Sequence, residues 1–313
     1  HMQGVSIEKV AERMKLKNYT PCVDLSARYI TLPDINRPAL QMTGFFEHFE
    51  QERVQIIGTV EYTYLDHLKK ERRIEIYHQF LSYEKIPCVV FCRDLQPEEE
   101  FLQIAAENGI PVLGSSYATS NFTSEIIYRL NRDLAPCISI HGVLVDVYGE
   151  GVLITGESGI GKSEAALELI RRGHRLVTDD VVEIRKINES TLVGTSPAIT
   201  RYFIELRGIG IIDVKTLFGV ECVKEKQNID LVIKLEDWKK EKEYDRLGLE
   251  EEYTEILGNK IVCHSIPIRP GRNLAVICEA AAVNHRQKKM GYNAAHELYR
   301  RVQENLANGK KMD

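Results

Sequence analysis

Residues 156–163 read Gly-Glu-Ser-Gly-Ile-Gly-Lys-Ser, which fits G-x-x-x-x-G-K-[ST], the phosphate-binding loop. Glycines in such a loop let successive backbone N–H groups curl around an anion, and the positive end of the following helix adds to the attraction. Gly156, Glu157, Ser158, Gly159, Ile160 and Gly161 would supply the cradle. Lys162 would reach β/γ-phosphate oxygens, and the Ser163 hydroxyl would ligate Mg²⁺. Two carboxylates, Asp179 and Asp180, close the next apolar run. A carboxylate at a strand end beside a phosphate loop organises Mg²⁺ or accepts a proton. Adjacent strand residues point to opposite faces, so both acids reach one site only if the chain bends between them. A second oxygen ligand for the metal would come from further along the chain, and Glu205 is a candidate. Pro267-Ile268-Arg269-Pro270-Gly271-Arg272 holds two cations between restricted residues, and an arginine fork there suits phosphate. A plain surface loop is the competing reading.

The elements that position these groups follow from periodicity. Val152 to Thr155 reads as a strand feeding the loop, and Glu164 to Arg172 as the helix leaving it. Upstream, Cys137 to Tyr148 reads as one long strand, and Gly149-Glu150-Gly151 as a tight turn, so the loop follows a hairpin. In common βαβ nucleotidases the feeding strand arrives from a crossover helix. The hairpin therefore points to an antiparallel-rich kinase core. His174 to Asp180 reads as a strand, Pro197 to Arg207 as helical, Asp230 to Leu235 and Ile261 to Ile268 as strands. Asn273 to Lys289 and Asn293 to Ala307 read as closing helices.

The first part of the chain alternates strand and helix signals. Val54 to Gly58 reads as a strand, and Cys88 to Cys92 is a continuous apolar run of the kind buried on both faces of a parallel sheet. Arg72 to Tyr83 and the stretch after Pro97 read as helices. Ser115, Ser116, Thr119, Ser120 and Thr123 read as a polar loop with caps. No phosphate loop or dinucleotide fingerprint occurs in this half. Pro136 breaks the pattern after the helix around Ile126 and Leu130, which places a boundary near 131–136. The expected division is residues 1–133 and 134–313.

With 41 basic and 46 acidic residues the net charge is −5, which argues against a dedicated nucleic-acid binder. No apolar run approaches about 18 residues, and no signal-peptide pattern is evident. A cytoplasmic protein without a membrane segment is expected. The seven cysteines include one close pair, Cys88 and Cys92, with no second pair to complete a zinc site. Core thiols are expected.

The motifs together resemble the HPr kinase/phosphorylase family, enzymes acting on a serine of the phosphocarrier protein HPr. The matching stretches are 141–146, 156–163, 173–180, Glu205-Leu206-Arg207-Gly208, Tyr244-Asp245-Arg246-Leu247-Gly248 and 268–276. Residues 36–40 and 52–58 match more loosely. The resemblance implies an α/β protein: an N-terminal Rossmann-like domain, then a phosphoenolpyruvate-carboxykinase-like P-loop kinase domain. It implies phosphorylation of the HPr serine from ATP or pyrophosphate, and reverse phosphorolysis by Pi giving pyrophosphate. It further implies Mg²⁺, a homohexamer, and control by fructose 1,6-bisphosphate and Pi. By position, His141, Lys162, Asp180 and Arg246 match the family's catalytic residues, and Ser163 and Glu205 its metal ligands. The stretch 204–213 matches a segment needed in both directions. Two other classes share the loop: a small-molecule phosphotransferase of the carboxykinase type, and a regulatory module that uses nucleotide only as a switch.

Overall fold

The computed structural model describes residues 4–238 and 250–309. The chain divides into two compact units, one ending at Ala135 and the other beginning at Pro136.

The first unit is built on parallel strands β1 (Ile35–Asn36), β2 (Val54–Ile57), β3 (Val89–Phe91) and β4 (Val112–Gly114), paired in that order. Residues 17–18 add an antiparallel edge beside β4. Side chains alternate across the sheet. Val54, Ile56 and Val90 pack on one face with Phe122, Ile126 and Leu130 of helix α3 (Thr119–Asp133). Ile57, Val89 and Phe91 pack on the other with Phe80 of α1 (Lys70–Leu81) and Phe101 of α2 (Glu99–Glu107). Burial on both faces is why these strands read as continuous apolar runs. Cys88 and Cys92 lie in this core as free thiols, and burial pushes them up to about 12 and about 11. Thiols held protonated are poor zinc ligands.

In the second unit the stretch expected as one strand is two. β5 (Cys137–His141) and β6 (Val143–Val147) belong to different sheets, separated at Gly142. A Cβ on Gly142 would stand 2.8 Å from the Ile154 carbonyl, so the chain there is pressed against its neighbour. β6 pairs antiparallel with β7 (Glu150–Thr155) through a turn at Tyr148 and Gly149, both at positive φ. The expected hairpin before the loop is present.

Helix α4 (Lys162–Arg171) leaves the loop, and β8 (Arg175–Thr178) returns beside β6. β9 (Val181–Asn188) and β10 (Thr191–Thr195) come next. The run 197–207 is not helical. After one short 3-10 turn it forms β11 (Phe203–Leu206), which pairs with β12 (Gly210–Asp213) in a two-stranded sheet. Ile204 and Leu206 alternate inward into the core, so period-two burial overrides helix propensity. β13 (Lys226–Asn228), β14 (Leu231–Asp237), β15 (Glu252–Ile256), β16 (Asn259–Ile268), α5 (Leu274–Lys289) and α6 (Ala294–Ala307) complete the unit. The six-stranded sheet has the order β8-β6-β7-β14-β16-β15, with β7, β14 and β16 parallel.

This sheet also has two dressed faces. Val145, Val152, Ile154 and Ile233 pack with Ala165 and Leu169 of α4 and with Cys278 and Ala282 of α5. Leu144, Leu153 and Val232 face the second sheet, β13-β10-β9-β5, through Val182, Ile184 and Leu192. Fully buried Leu169 anchors the helix that presents Lys162; truncating it to Ala would cost about 2–5 kcal/mol. Glu279 of α5 accepts from Tyr148 Oη (2.9 Å), Arg172 Nε (2.5 Å) and His174 Nε2 (3.0 Å), tying α5 to the end of α4. Asn273 and Asn293 cap α5 and α6 through their side-chain oxygens. Among the described residues no helix is long and apolar enough to cross a membrane.

Candidate active site

The phosphate loop leaves the carboxyl end of β7, beside the ends of parallel β14 and β16, where open α/β sheets place their ligands. Gly156 adopts φ +151°, and a Cβ there would stand 2.8 Å from the Leu235 carbonyl. Only glycine tolerates that approach. Gly161 precedes α4 with no side-chain cap, leaving the first N–H groups of the helix available to an anion. Lys162 Nζ donates to the carbonyls of Gly156 (2.7 Å) and Glu157 (2.8 Å), which holds the ammonium over the loop.

A cleft of about 510 Å³ opens over this loop. It is lined by His141, Gly156, Ser158, Gly159, Gly161, Lys162, Ser163, Glu164, Asp179, Asp180, Glu205 and Arg207. Besides the loop and α4, three places in the chain deliver these side chains: the end of β5, the β8–β9 bend, and β11 with the turn after it.

The bend that both aspartates require is present. β8 ends at Thr178, and Asp180 adopts φ +71°, a left-handed conformation uncommon outside glycine. The Gly142 N–H donates to the Asp180 carbonyl (3.0 Å), and Thr178 Oγ1 to the Val181 carbonyl (2.6 Å), fixing the turn. The two carboxylates consequently occupy different environments. Asp179 is buried, and its carboxylate accepts from Ser163 Oγ, 3.0 Å from each oxygen, and from the Glu205 N–H at 3.4 Å. Burial pushes its pKa up to about 6, with those hydrogen bonds opposing the rise. Asp180 is exposed to the cleft, and its Oδ1 lies 3.9 Å from His141 Nδ1. The β5–β9 register, in which His141 stands opposite Val181, brings together residues that are distant in sequence. A separation of 3.9 Å is an ion-pair distance rather than a hydrogen bond.

Ser163 Oγ and the Asp179 carboxylate are in direct contact, and Glu205 lines the same cleft, so the candidate donors are all oxygens. Hard oxygen donors suit Mg²⁺, which is commonly held by one or two carboxylates with substrate phosphates and water completing the shell. Among the described residues no cluster of three or more His, Cys, Asp or Glu side chains forms a metal cage. The chemistry of these oxygen donors fits Mg²⁺. Residues 244–248, Arg246 included, lie outside the described residues. Arg269 and Arg272 lie just beyond the end of β16. The Arg269 guanidinium sits 4.3 Å from the Trp238 ring centroid, and Arg272 Nη1 donates to the Pro267 carbonyl at 3.5 Å.

A family model for the HPr Serine kinase C-terminal domain matches residues 132–302, and one for the HPr Serine kinase N terminus matches residues 5–130. A protein of Lachnoclostridium phytofermentans named HPr kinase/phosphorylase is 64% identical over 310 residues, covering 99% of this chain and 100% of its own length. The chain belongs to the HPr kinase/phosphorylase family. A Caldicellulosiruptor bescii protein of the same name is 52% identical over 304 residues, covering 97% of each chain. A solved structure of the Hpr(Ser) kinase/phosphatase from Coxiella burnetii is 39% identical, with a TM-score of 0.47, covering 51% of this chain and 98% of that one.

In this HPr kinase/phosphorylase fold, His141, Asp180, Lys162, Ser163 and Glu205 line one cleft. Outside the loop, the cleft is lined by three further residues, Glu164, Asp179 and Arg207. Sequence leaves Asp179 undecided between metal and base, and offers Arg207 only as part of a matching stretch. The signals are the paired aspartates for one, and the glycine at a variable position of the loop for the other.

Proposed function

We propose that this chain transfers a phosphoryl group from ATP or pyrophosphate to a serine of HPr and catalyses the reverse phosphorolysis. One observation carries the reading most directly. An exposed carboxylate, Asp180, stands across the same cleft as the phosphate loop, while its neighbour Asp179 is turned away to the loop's Ser163. A carboxylate open to the cleft is free to meet an incoming hydroxyl.

In the forward direction Asp180 accepts the serine proton as the serine oxygen attacks the terminal phosphorus, and the bond to the leaving phosphate breaks. Lys162 and the loop N–H groups hold the phosphates in line. In reverse, Pi attacks phosphoserine, the P–O(Ser) bond breaks, and protonated Asp180 returns the proton to the serine oxygen. Microscopic reversibility assigns both roles to one group. His141, 3.9 Å away, orients the Asp180 carboxylate. Ser163, Glu205 and Asp179 would hold Mg²⁺, which would supply charge neutralisation for the phosphates. Arg246 is proposed, on family resemblance, to neutralise the transferred group. The same resemblance supports a homohexamer, a cytoplasmic setting, control by fructose 1,6-bisphosphate and Pi, and the domain division 1–133 and 134–313.

Incubating the chain with purified HPr and either ATP or pyrophosphate, read by intact mass, tests the reading. One phosphate added to HPr, and removed again by excess Pi, is expected. Transfer to a small organic acid, or nucleotide binding without transfer to any acceptor, would overturn it.

A further inference from the structure

The phosphate-loop pattern requires glycine at 156 and 161 but leaves 159 open, yet residue 159 is also glycine. Its backbone sits at φ +83°. A Cβ there would stand 2.6 Å from the Arg207 Cζ and 2.8 Å from its Nη1. The guanidinium thus rests directly on the loop, in the space a side chain at 159 would fill.

The seat is built from both sides. Ile204 and Leu206 pin β11 in the core, and Arg207 comes next at the turn, where the Ile209 N–H donates to the Leu206 carbonyl at 3.2 Å. Gly208 and Gly210 adopt positive φ and let the chain reverse immediately after the arginine. Among the described residues no hydrogen bond or ion pair joins Arg207 to another side chain or carbonyl. Lys162, by contrast, has two carbonyl partners. A guanidinium without a counter-ion, lining a cleft over an anion-binding loop, is placed to engage two oxygens of one phosphoryl group, which its planar fork matches.

We infer that Arg207, whose guanidinium lies over Gly159 of the loop, is a catalytic residue that grips the terminal phosphoryl group from the β11–β12 side. The inference rests on the phosphoryl-transfer reading above and adds a cation to it. Lys162 acts from the floor of the loop and Arg207 from above. The group both contact is the γ-phosphoryl of ATP, the distal phosphate of pyrophosphate, or the attacking Pi.

The experiment compares the full chain with Arg207→Ala and Arg207→Lys. Pyrophosphate and ADP binding are measured calorimetrically with Mg²⁺, and transfer to HPr is measured at saturating donor. In Arg207→Ala, kcat should fall on the order of 10²–10³-fold in both directions. Pyrophosphate affinity should fall about ten-fold or more, while ADP, which lacks the terminal group, binds within about two-fold of wild type. Added guanidinium should restore part of the kcat of Arg207→Ala, and Arg207→Lys should recover only part, because ammonium lacks the fork. Equal loss of ADP and pyrophosphate affinity without guanidinium rescue would mean a structural role and overturn the inference, as would a kcat within about three-fold of wild type. If the wild-type chain transferred nothing to HPr, the functional reading would fail, and the pyrophosphate-against-ADP comparison would still decide the arginine.

Discussion

Both units have parallel strands at the heart of a sheet, and both gather polar side chains where those strands end, yet the two ends are wired differently. In the first unit the charges are satisfied internally. Arg37 grips Glu61 with two hydrogen bonds of 2.6 and 2.8 Å, and the Glu61 carboxylate also accepts from the Gly58 N–H at 3.1 Å. Asn36 Nδ2 donates to Gln55 at 2.7 Å. In the second unit Arg207 has no partner among the described residues, and Asp180 and His141 stand 3.9 Å apart, exposed to a cleft. Asp179 is held with its pKa pushed up to about 6. Charges that a fold leaves uncompensated are the ones available to a substrate. The same architecture thus gives a closed polar knot in one unit and an open reaction site in the other.

The comparison breaks most visibly at Lys162. Lys162→Ala should lower HPr phosphorylation on the order of 10²–10³-fold, measured by initial rates at saturating HPr. Arg37→Ala, the matching change at the first unit's strand ends, should leave transfer rates unchanged. Its effect should be on stability, because Glu61 is only 2% exposed and would lose its cation. With Arg37 itself partly exposed, the loss should be about 1–3 kcal/mol, below the full cost of breaking a buried pair. Denaturant unfolding of the two variants side by side checks both halves; an activity loss in Arg37→Ala would contradict the contrast.

A smaller effect separates the cleft from the rest of its own unit. His264 and His285 both titrate below 6.5, chiefly because they are buried. Lys288 reinforces the shift at His264 and Lys289 at His285. Glu251 opposes it at both, joined by Glu252 at His264 and by Glu150 and Asp230 at His285. The folded state therefore prefers them neutral. As pH falls below 6.5 the unfolded chain binds protons that the folded chain does not, so stability declines on the acid side and is fully present above it. Melting temperatures of wild type and His285→Gln between pH 5 and pH 8, spanning the histidine range, should show a shallower acid decline in the variant. A variant with an unchanged acid slope would contradict the assignment.

The loop, its feeding hairpin and its helix are legible in the sequence because glycine spacing and apolar periodicity are local signals. Helices α5 and α6 are legible from their apolar stripes. The break between β5 and β6 is easily missed, although the apolar residues change phase there: Ile138 and Ile140 are even, while Val143, Val145 and Val147 are odd. That slip is what lets one stretch serve two sheets. The run 197–207 reads as helix from local pattern, but it holds only one 3-10 turn, and the burial of Ile204 and Leu206 makes residues 203–206 a strand. The pairing of His141 with Asp180 depends on sheet register, and the separation of Asp179 from Asp180 on one positive φ. Neither is written in local sequence. The seating of Arg207 on Gly159 is a tertiary contact, announced only by a glycine where the motif did not demand one.

The central claim is that Asp180 moves the serine proton in both directions while Asp179 serves the loop. Single-turnover transfer to HPr from ATP, and phosphorolysis of phosphoserine-HPr by Pi, measured in Asp180→Asn, tests it most directly. Both rates should fall on the order of 10²–10⁴-fold with nucleotide affinity retained. A variant that phosphorylates HPr at near wild-type rate with its nucleotide site intact would contradict it.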